Sequence, residues 1–183
     1  MSEQIEYRYQ GLVVPHPALD LTDEVTSEVF EIFSFYWRFG AHFDVGLDAA
    51  LSQPAHIKML AISHAHIKPV EFTGEEGKKH GPRATEKCWR QWGAANYDPA
   101  IDAPSFKIPR SDEWVVYCID NKRTACFLGF VPRLAHTYCA NGTPLLSAFM
   151  ASAEQWFQSE NRLPMSFEDI PHIFSDKWRT SAK

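Results

Sequence analysis

The densest polar chemistry in the sequence lies in ISHAHIKP, residues 62 to 69, where His64 and His66 stand one residue apart among small and apolar neighbours. On a strand, residues two apart project from one face, which sets the two imidazoles side by side with Cα atoms roughly 7 Å apart. Two chemistries suit that pair. With a third histidine, from His136, His56 or His80, it would hold zinc by three nitrogens and leave one position for water. Alternatively, the two rings would serve as general base and general acid in RNA cleavage. Imidazole titrates near working pH, and each proton transfer is worth roughly 10² to 10⁴ in rate. A plainer reading makes both rings packed strand residues of a non-enzymatic binding module. In FVPRLAHTYC, residues 130 to 139, Arg133 and His136 directly follow an apolar run. A loop leaving a rigid sheet would there carry a phosphate clamp and a further proton-transfer group. The sequence has no glycine-rich phosphate loop, no Gly-x-Ser-x-Gly elbow and no cysteine-histidine nucleophile arrangement.

These residues need elements to position them. IKMLAISHAHIKP alternates and predicts a strand running to about Lys68. EWVVYCI and TACFLGFV are two apolar runs of strand length separated by DNKR, which predicts a hairpin at the centre of a sheet with both faces buried. IEYRYQGLVV predicts a first strand at an edge. LTDEVTSEVFEIFSFYWRFG predicts a helix with Thr22 as N-cap and Gly40 as its stop, and DVGLDAALSQP a turn and short helix. Apolar residues spread around the second half of the long helix, so Phe30, Trp37 and Phe39 form an aromatic side available to a partner. Residues 72 to 83 predict a mobile loop, ATEKCWRQWGAA a helix, and 96 to 112 an irregular connection. Thr143-Pro144 predicts an N-cap and first helical turn for a helix through Phe157. The whole is expected to be α+β, a single domain with an antiparallel sheet flanked by helices. Residues 1 to 158 would form that domain, and 159 to 183 an aromatic extension packing back on it.

At 183 residues and 45% hydrophobic, the chain can bury a substantial core. The four cysteines form no Cys-x-x-Cys pair, which fits buried thiols in a reducing compartment. No apolar run reaches the length of a signal peptide or the ~18 residues of a membrane span, so a cytoplasmic protein with no membrane partner is expected. The net charge of -5 argues against a general nucleic-acid coat, but the charge is uneven. Residues 1 to 50 hold nine acids against two bases, while residues 51 to 140 hold twelve bases against nine acids. Lys58, Lys68, Arg83, Lys87 and Arg90 would form an RNA-binding patch if the fold brings them together.

Several blocks, in order, resemble the YafO family of bacterial toxin-antitoxin toxins. SFYWRFGAHFDVGLDAAL has Tyr36, Arg38, Gly40, Asp44, Gly46, Asp48 and Leu51 in a pattern similar to that family's Tyr, Arg and Gly followed by Gly-x-Asp. His64 and His66 match a His-x-His strand. EWVVYCIDNKRTACFLGFVP is similar to the family's strand pair with Val-Tyr and a following proline. LLSAFMASAEQWF resembles its closing helix, ending at Ala153, Glu154 and Phe157. Residues 70 to 112 look like a longer insertion, residues 160 to 183 run past the usual end, and the Pro132-to-His136 spacing is longer by one. The resemblance implies a toxin that cleaves messenger RNA on the ribosome and is neutralised by a cognate antitoxin. It implies acid-base cleavage without metal or cofactor, with His64, His66, His136 and Arg133 as the catalytic group. The aromatic side at Phe30, Trp37 and Phe39 becomes the antitoxin-binding surface.

Overall fold

The computed structural model describes residues 8–97 and 107–180, with the side chains of 94–97 left aside. It is an α+β domain. Strands β1 (Arg8–Tyr9) and β2 (Val13–Pro15) precede helix α1 (Glu24–Phe39), and strands β3 (Val45–Ala50) and β4 (Ile62–Ile67) follow it. Helices α2 (Glu76–His80) and α3 (Glu86–Tyr97) lead to the hairpin β5 (Trp114–Ile119) and β6 (Ala125–Val131). A short helix α4 (Ala135–Tyr138), the long helix α5 (Pro144–Ser159) and strand β7 (Arg179–Thr180) complete the chain.

The main sheet has the order β2-β6-β5-β4-β3. Four of its strands are antiparallel neighbours, but β2 runs parallel to β6, so the sheet is mixed rather than antiparallel. Alternation in IEYRYQGLVV marks a strand but carries nothing about its direction. β1 pairs instead with β7 in a separate two-stranded ribbon that ties the N-terminal segment to the C-terminal one.

The hairpin stands where the two apolar runs place it, and both of its strands are buried on both faces. α1 covers one face: Val29, Phe33 and Trp37 pack on Val115, Tyr117 and Phe127. Met165, Ile170 and Ile173 fill the same layer, so residues beyond 159 share one core with the rest. α5 covers the other face with Leu146, Phe149, Met150 and Trp156 on Val116, Cys118 and Leu128. All four cysteines are buried and free.

Local signals set most helix ends. Gly40 closes α1 in the left-handed conformation at φ 80°, its N–H donating to the Tyr36 carbonyl. The N-cap is Asp23, whose carboxylate accepts from the Thr26 N–H, while Thr22 bonds back to Asp20. The longer reach of the Asp carboxylate wins the cap one residue on from Thr22. Thr143 caps α5 as expected, accepting from Leu146 N–H at 3.3 Å, with Pro144 in the first turn. Replacing Thr143 with alanine removes that acceptor and should lower the unfolding free energy by about 1 kcal/mol in urea titrations. An unchanged midpoint would mean the cap is dispensable.

Three segments differ from their sequence readings. DVGLDAALSQP is not a helix: Val45–Ala50 is an edge strand paired to β4 with a bulge between Val45 and Asp48. Its helix-compatible residues yield to tertiary pairing, since Tyr36 and Tyr117 donate to the Asp48 carboxylate at 2.9 and 2.6 Å. Gly46 lets the bulge close, because a Cβ there would lie 2.5 Å from the Pro109 oxygen. The alternating run before the histidines is likewise shorter than expected. Ala55–Leu60 is a 3-10 turn, Ala61 takes φ 46°, and the strand proper begins at Ile62. The loop expected over 72 to 83 carries α2 and a 3-10 turn at Pro82–Ala84. The irregular connection expected over 96 to 112 falls largely on 98–106, outside the described residues.

Candidate functional site

Sheet register gathers the site. His64 lies opposite Val116 and His66 opposite Trp114, while Trp114 lies opposite Val131. His64, His66 and Trp114 therefore project from the α5 face toward one end of the sheet. Beyond that end, Asp112 lies just before β5, and α4 begins just after β6. Leu134 turns the chain there in the left-handed conformation, with φ 53°. His80 arrives from α2, in the connection between β4 and β5.

The rings form a continuous chain. Centroids of His64 and His66 are 5.1 Å apart, His66 and His136 5.9 Å, and His136 and His80 5.2 Å with nearly parallel planes. Trp114 packs against three of them, at 4.0 Å from His64, 5.4 Å from His66 and 4.7 Å from His136. The shared face that the His-x-His parity requires is present, and it does see His136.

The four rings differ in access. His64 and His66 are 9% and 2% exposed, and burial holds both imidazoles neutral. His64 is pushed down to about 4, first by desolvation and then by the neighbouring His136. His66 is pushed down to about 3 by desolvation and by His64. His66 Nδ1 receives two N–H groups, Ser111 N at 2.9 Å and Trp114 Nε1 at 3.1 Å. The Ser111 carbonyl, 2.7 Å from the same nitrogen, also accepts from Trp114 Nε1 at 3.3 Å. The carbonyl can bond Nδ1 only when that nitrogen carries the ring proton, and the two N–H groups only when Nε2 carries it, so the two tautomers use different partners on one segment. His66 thus fixes the 111–114 segment and the residues just before β5. A ring with so low a pKa is a weak base and is not protonated at neutral pH, so neither buried histidine is suited to proton transfer.

His136 and His80 are the accessible pair, and Asp112 joins them. His136 Nδ1 lies 2.7 Å from Asp112 Oδ1, and His80 Nε2 lies 3.5 Å from Oδ2. An ionised carboxylate only accepts, so His136 carries its proton on Nδ1 and leaves Nε2 for substrate. Asp112 is itself anchored, accepting the His136 backbone N–H at 2.9 Å and, on its main-chain oxygen, that of Ala135 at 3.1 Å. Beside His80 runs a groove of about 470 Å³ lined also by Arg83, Lys107 and Arg110. Imidazoles backed by a carboxylate and flanked by cations can move protons at a phosphodiester while offsetting its charge.

Other expected site residues lie elsewhere. Arg133 is exposed in the turn before α4 and makes no hydrogen bond or ion pair among the described residues. Arg83 is at the His80 groove, its Nε donating to the Ile108 carbonyl. Lys68 and Arg90 line a different groove, of about 700 Å³, with Glu28, Glu71, Glu86 and Glu113, where Lys68 pairs with Asp44 and Arg90 with Glu86. Lys58 sits over the Phe167 ring, and Lys87 is exposed on α3. The five basic residues therefore do not converge into one patch, because they leave the chain on different elements and faces. Trp37 is 1% exposed with its Nε1 donating to the Arg123 carbonyl, so it belongs to the core rather than to a free aromatic side. Phe30 packs edge-on against Phe127. On α1 the accessible aromatic is Phe35, 50% exposed, with the half-buried Phe39 ring tilted against it at 4.4 Å. His56 is exposed in the 3-10 turn, and the zinc set of His64, His66 and a third histidine is not assembled. The ligand-type group that does assemble among the described residues is His80, Asp112 and His136. Asp112 escaped the sequence reading because nothing local in PRSDEW marks it as a histidine partner.

The buried rings make a stability prediction. The unfolded chain binds protons on both imidazoles below pH 6.5, and the folded chain refuses them until about pH 4 and 3. Each ring therefore contributes stability that is full above pH 6.5 and is lost as pH falls. Asp48, raised to about 6 by burial, and Glu113, raised to about 7 by burial and by Asp112, act in the opposite sense. The difference between parent and His64→Phe isolates one ring. Between pH 7 and 5 the variant should gain roughly 1–2 kcal/mol relative to the parent in urea unfolding. A pH-independent difference would mean that His64 takes up its proton as readily in the fold as in the unfolded chain.

No family model matches this sequence, and no curated protein or solved structure matches it. Among the described residues no helix is long and apolar enough to cross a membrane.

Proposed function

We propose that this chain is a YafO-like toxin, a cytoplasmic ribosome-dependent endoribonuclease that cuts messenger RNA by metal-independent acid-base chemistry. The observation that carries the reading is the pair of accessible imidazoles, His136 and His80, on one carboxylate beside a groove with Arg83, Lys107 and Arg110. In this reading His136 Nε2 takes the proton of the ribose 2'-hydroxyl, whose oxygen attacks phosphorus. The arginines and Lys107 offset the charge of the phosphorane, and His80 returns a proton to the departing 5'-oxygen. The products are a 2',3'-cyclic phosphate and a 5'-hydroxyl. His64 and His66 act by positioning Trp114 and the Asp112 segment, and Arg133 is placed to meet a more distant phosphate. Docking to the ribosome would hold messenger RNA on this face although the chain is acidic as a whole. The antitoxin surface in this reading is the exposed Phe35 on α1 with the half-buried Phe39 beside it.

Induced expression in a bacterial host without antitoxin should arrest growth and yield messenger RNA fragments ending in cyclic phosphate. His136→Ala should relieve the arrest at equal protein level. Arrest that persists in that variant, or messenger RNA left intact during arrest, would sink the assignment.

A further inference from the structure

We propose that His80, Asp112 and His136 form a zinc-binding site, and that the bound ion switches off the nuclease. The second half rests on the function proposed above, whereas the first rests on geometry alone. One donor atom from each residue lies within 4.8 Å of the other two. The closest pairs are His136 Nδ1 to Asp112 Oδ1 at 2.7 Å and His80 Nε2 to Asp112 Oδ2 at 3.5 Å. Tetrahedral zinc with bonds of about 2.0–2.2 Å sets its ligand atoms roughly 3.3–3.5 Å apart. Small side-chain shifts therefore suffice to surround one ion.

The donor set selects the metal class. Two imidazole nitrogens and one carboxylate oxygen suit zinc and its neighbours in the transition series, whereas magnesium and calcium favour all-oxygen sites. Three protein ligands on a half-exposed rim leave a fourth position for water. The surroundings restrain the ligands in advance. Asp112 is pinned by the backbone of α4, and the His136 ring is held between His80, His66 and Trp114. The three ligands come from three separate segments, so a bound ion would also fasten α2 and α4 to the end of the sheet.

Metal binding and acid-base catalysis exclude each other: zinc on His136 Nδ1 leaves the ring proton on Nε2, the nitrogen that catalysis needs unprotonated. An imidazole coordinated to zinc can neither take up nor deliver a proton, and the carboxylate that orients it is engaged by the ion. The same cluster then has two states, one that cleaves and one that is held closed by metal.

Calorimetric titration of zinc chloride into the full-length protein, stripped with a chelator and dialysed, tests the site. One zinc per chain is expected, with at least tenfold weaker binding in both Asp112→Asn and His80→Ala, and no heat from magnesium chloride. Absence of zinc binding, or binding unchanged in both variants, would overturn the site. In parallel, saturating zinc should slow RNA cleavage at least tenfold and chelator should restore it. Cleavage that accelerates with zinc would overturn the inhibitory role. Cleavage absent with and without zinc counts against the nuclease itself, and the isotherm decides the metal site independently.

Discussion

Replacing His136 with alanine is expected to slow RNA cleavage by roughly 10² to 10⁴, the usual worth of one positioned proton-transfer group. His136 is the most exposed ring of the cluster and the one whose Nδ1 is held by a carboxylate at 2.7 Å, which leaves Nε2 outside that bond. Alanine removes that nitrogen and keeps the backbone N–H that binds Asp112, so the fold should survive. Asp112→Asn should cost less, since it keeps the ring but weakens its orientation. His64→Phe, which keeps a ring packed on Trp114, should leave the rate nearly intact where the protein remains folded. The ordering can be measured on a ribosome-bound messenger RNA by end-labelled fragment analysis at matched protein concentrations. A His136→Ala protein as fast as the parent would remove this ring from the chemistry. Equal losses in all three variants would point to general loosening of the sheet end.

The second large effect is structural and lies in the hairpin loop. Arg123 is fully buried, yet it carries a guanidinium with three backbone acceptors: Ile173 at 2.6 Å, Trp37 at 2.7 Å and Gln10. It also lies over the Trp37 ring at 4.4 Å and the Tyr9 and Phe174 rings at 5.0 Å. Burial pulls its pKa down only to about 10, so it stays charged at neutral pH. One side chain thus joins the N-terminal segment, the end of α1 and the C-terminal layer. Arg123→Ala would leave two buried carbonyls, of Trp37 and Ile173, without this donor and a cavity among aromatic rings. It should cost about 3–5 kcal/mol, a large part of the stability of an ordinary domain. Arg123→Lys should recover little, because an ammonium cannot reproduce the planar fork. Urea unfolding followed by tryptophan fluorescence gives the measurement. A loss below about 1 kcal/mol would show that water replaces the guanidinium in those bonds.

Arg123 also marks where sequence reading stops. DNKR is legible as a hairpin loop from the apolar runs on either side, and the hairpin forms there. That its arginine turns inward at φ 63° depends on Trp37, Gln10 and Ile173 arriving from far along the chain. The same limit explains β3. A single edge strand gains its pairing from β4 and its anchor from Tyr36 and Tyr117, none of which shows in DVGLDAALSQP. It explains Trp37 as well, since a helix that is apolar over much of its surface needs several layers against it. Here those layers are the sheet on one side and the 165–174 segment on the other.

By itself the sequence determined the α+β class, the central hairpin, the limits of the two long helices to within two residues, and the shared face of His64 and His66. Each of these follows from short-range rules: period-two and period-3.6 patterns, and caps that act within one turn. Only the tertiary structure decided which histidines keep access to water. Burial on the α5 face depresses His64 and His66. The convergence of α2, the approach to β5 and α4 sets His80, Asp112 and His136 on an open rim. Desolvation and proximity are properties of packed space, and residues 80, 112 and 136 become neighbours only when the sheet end brings their segments together.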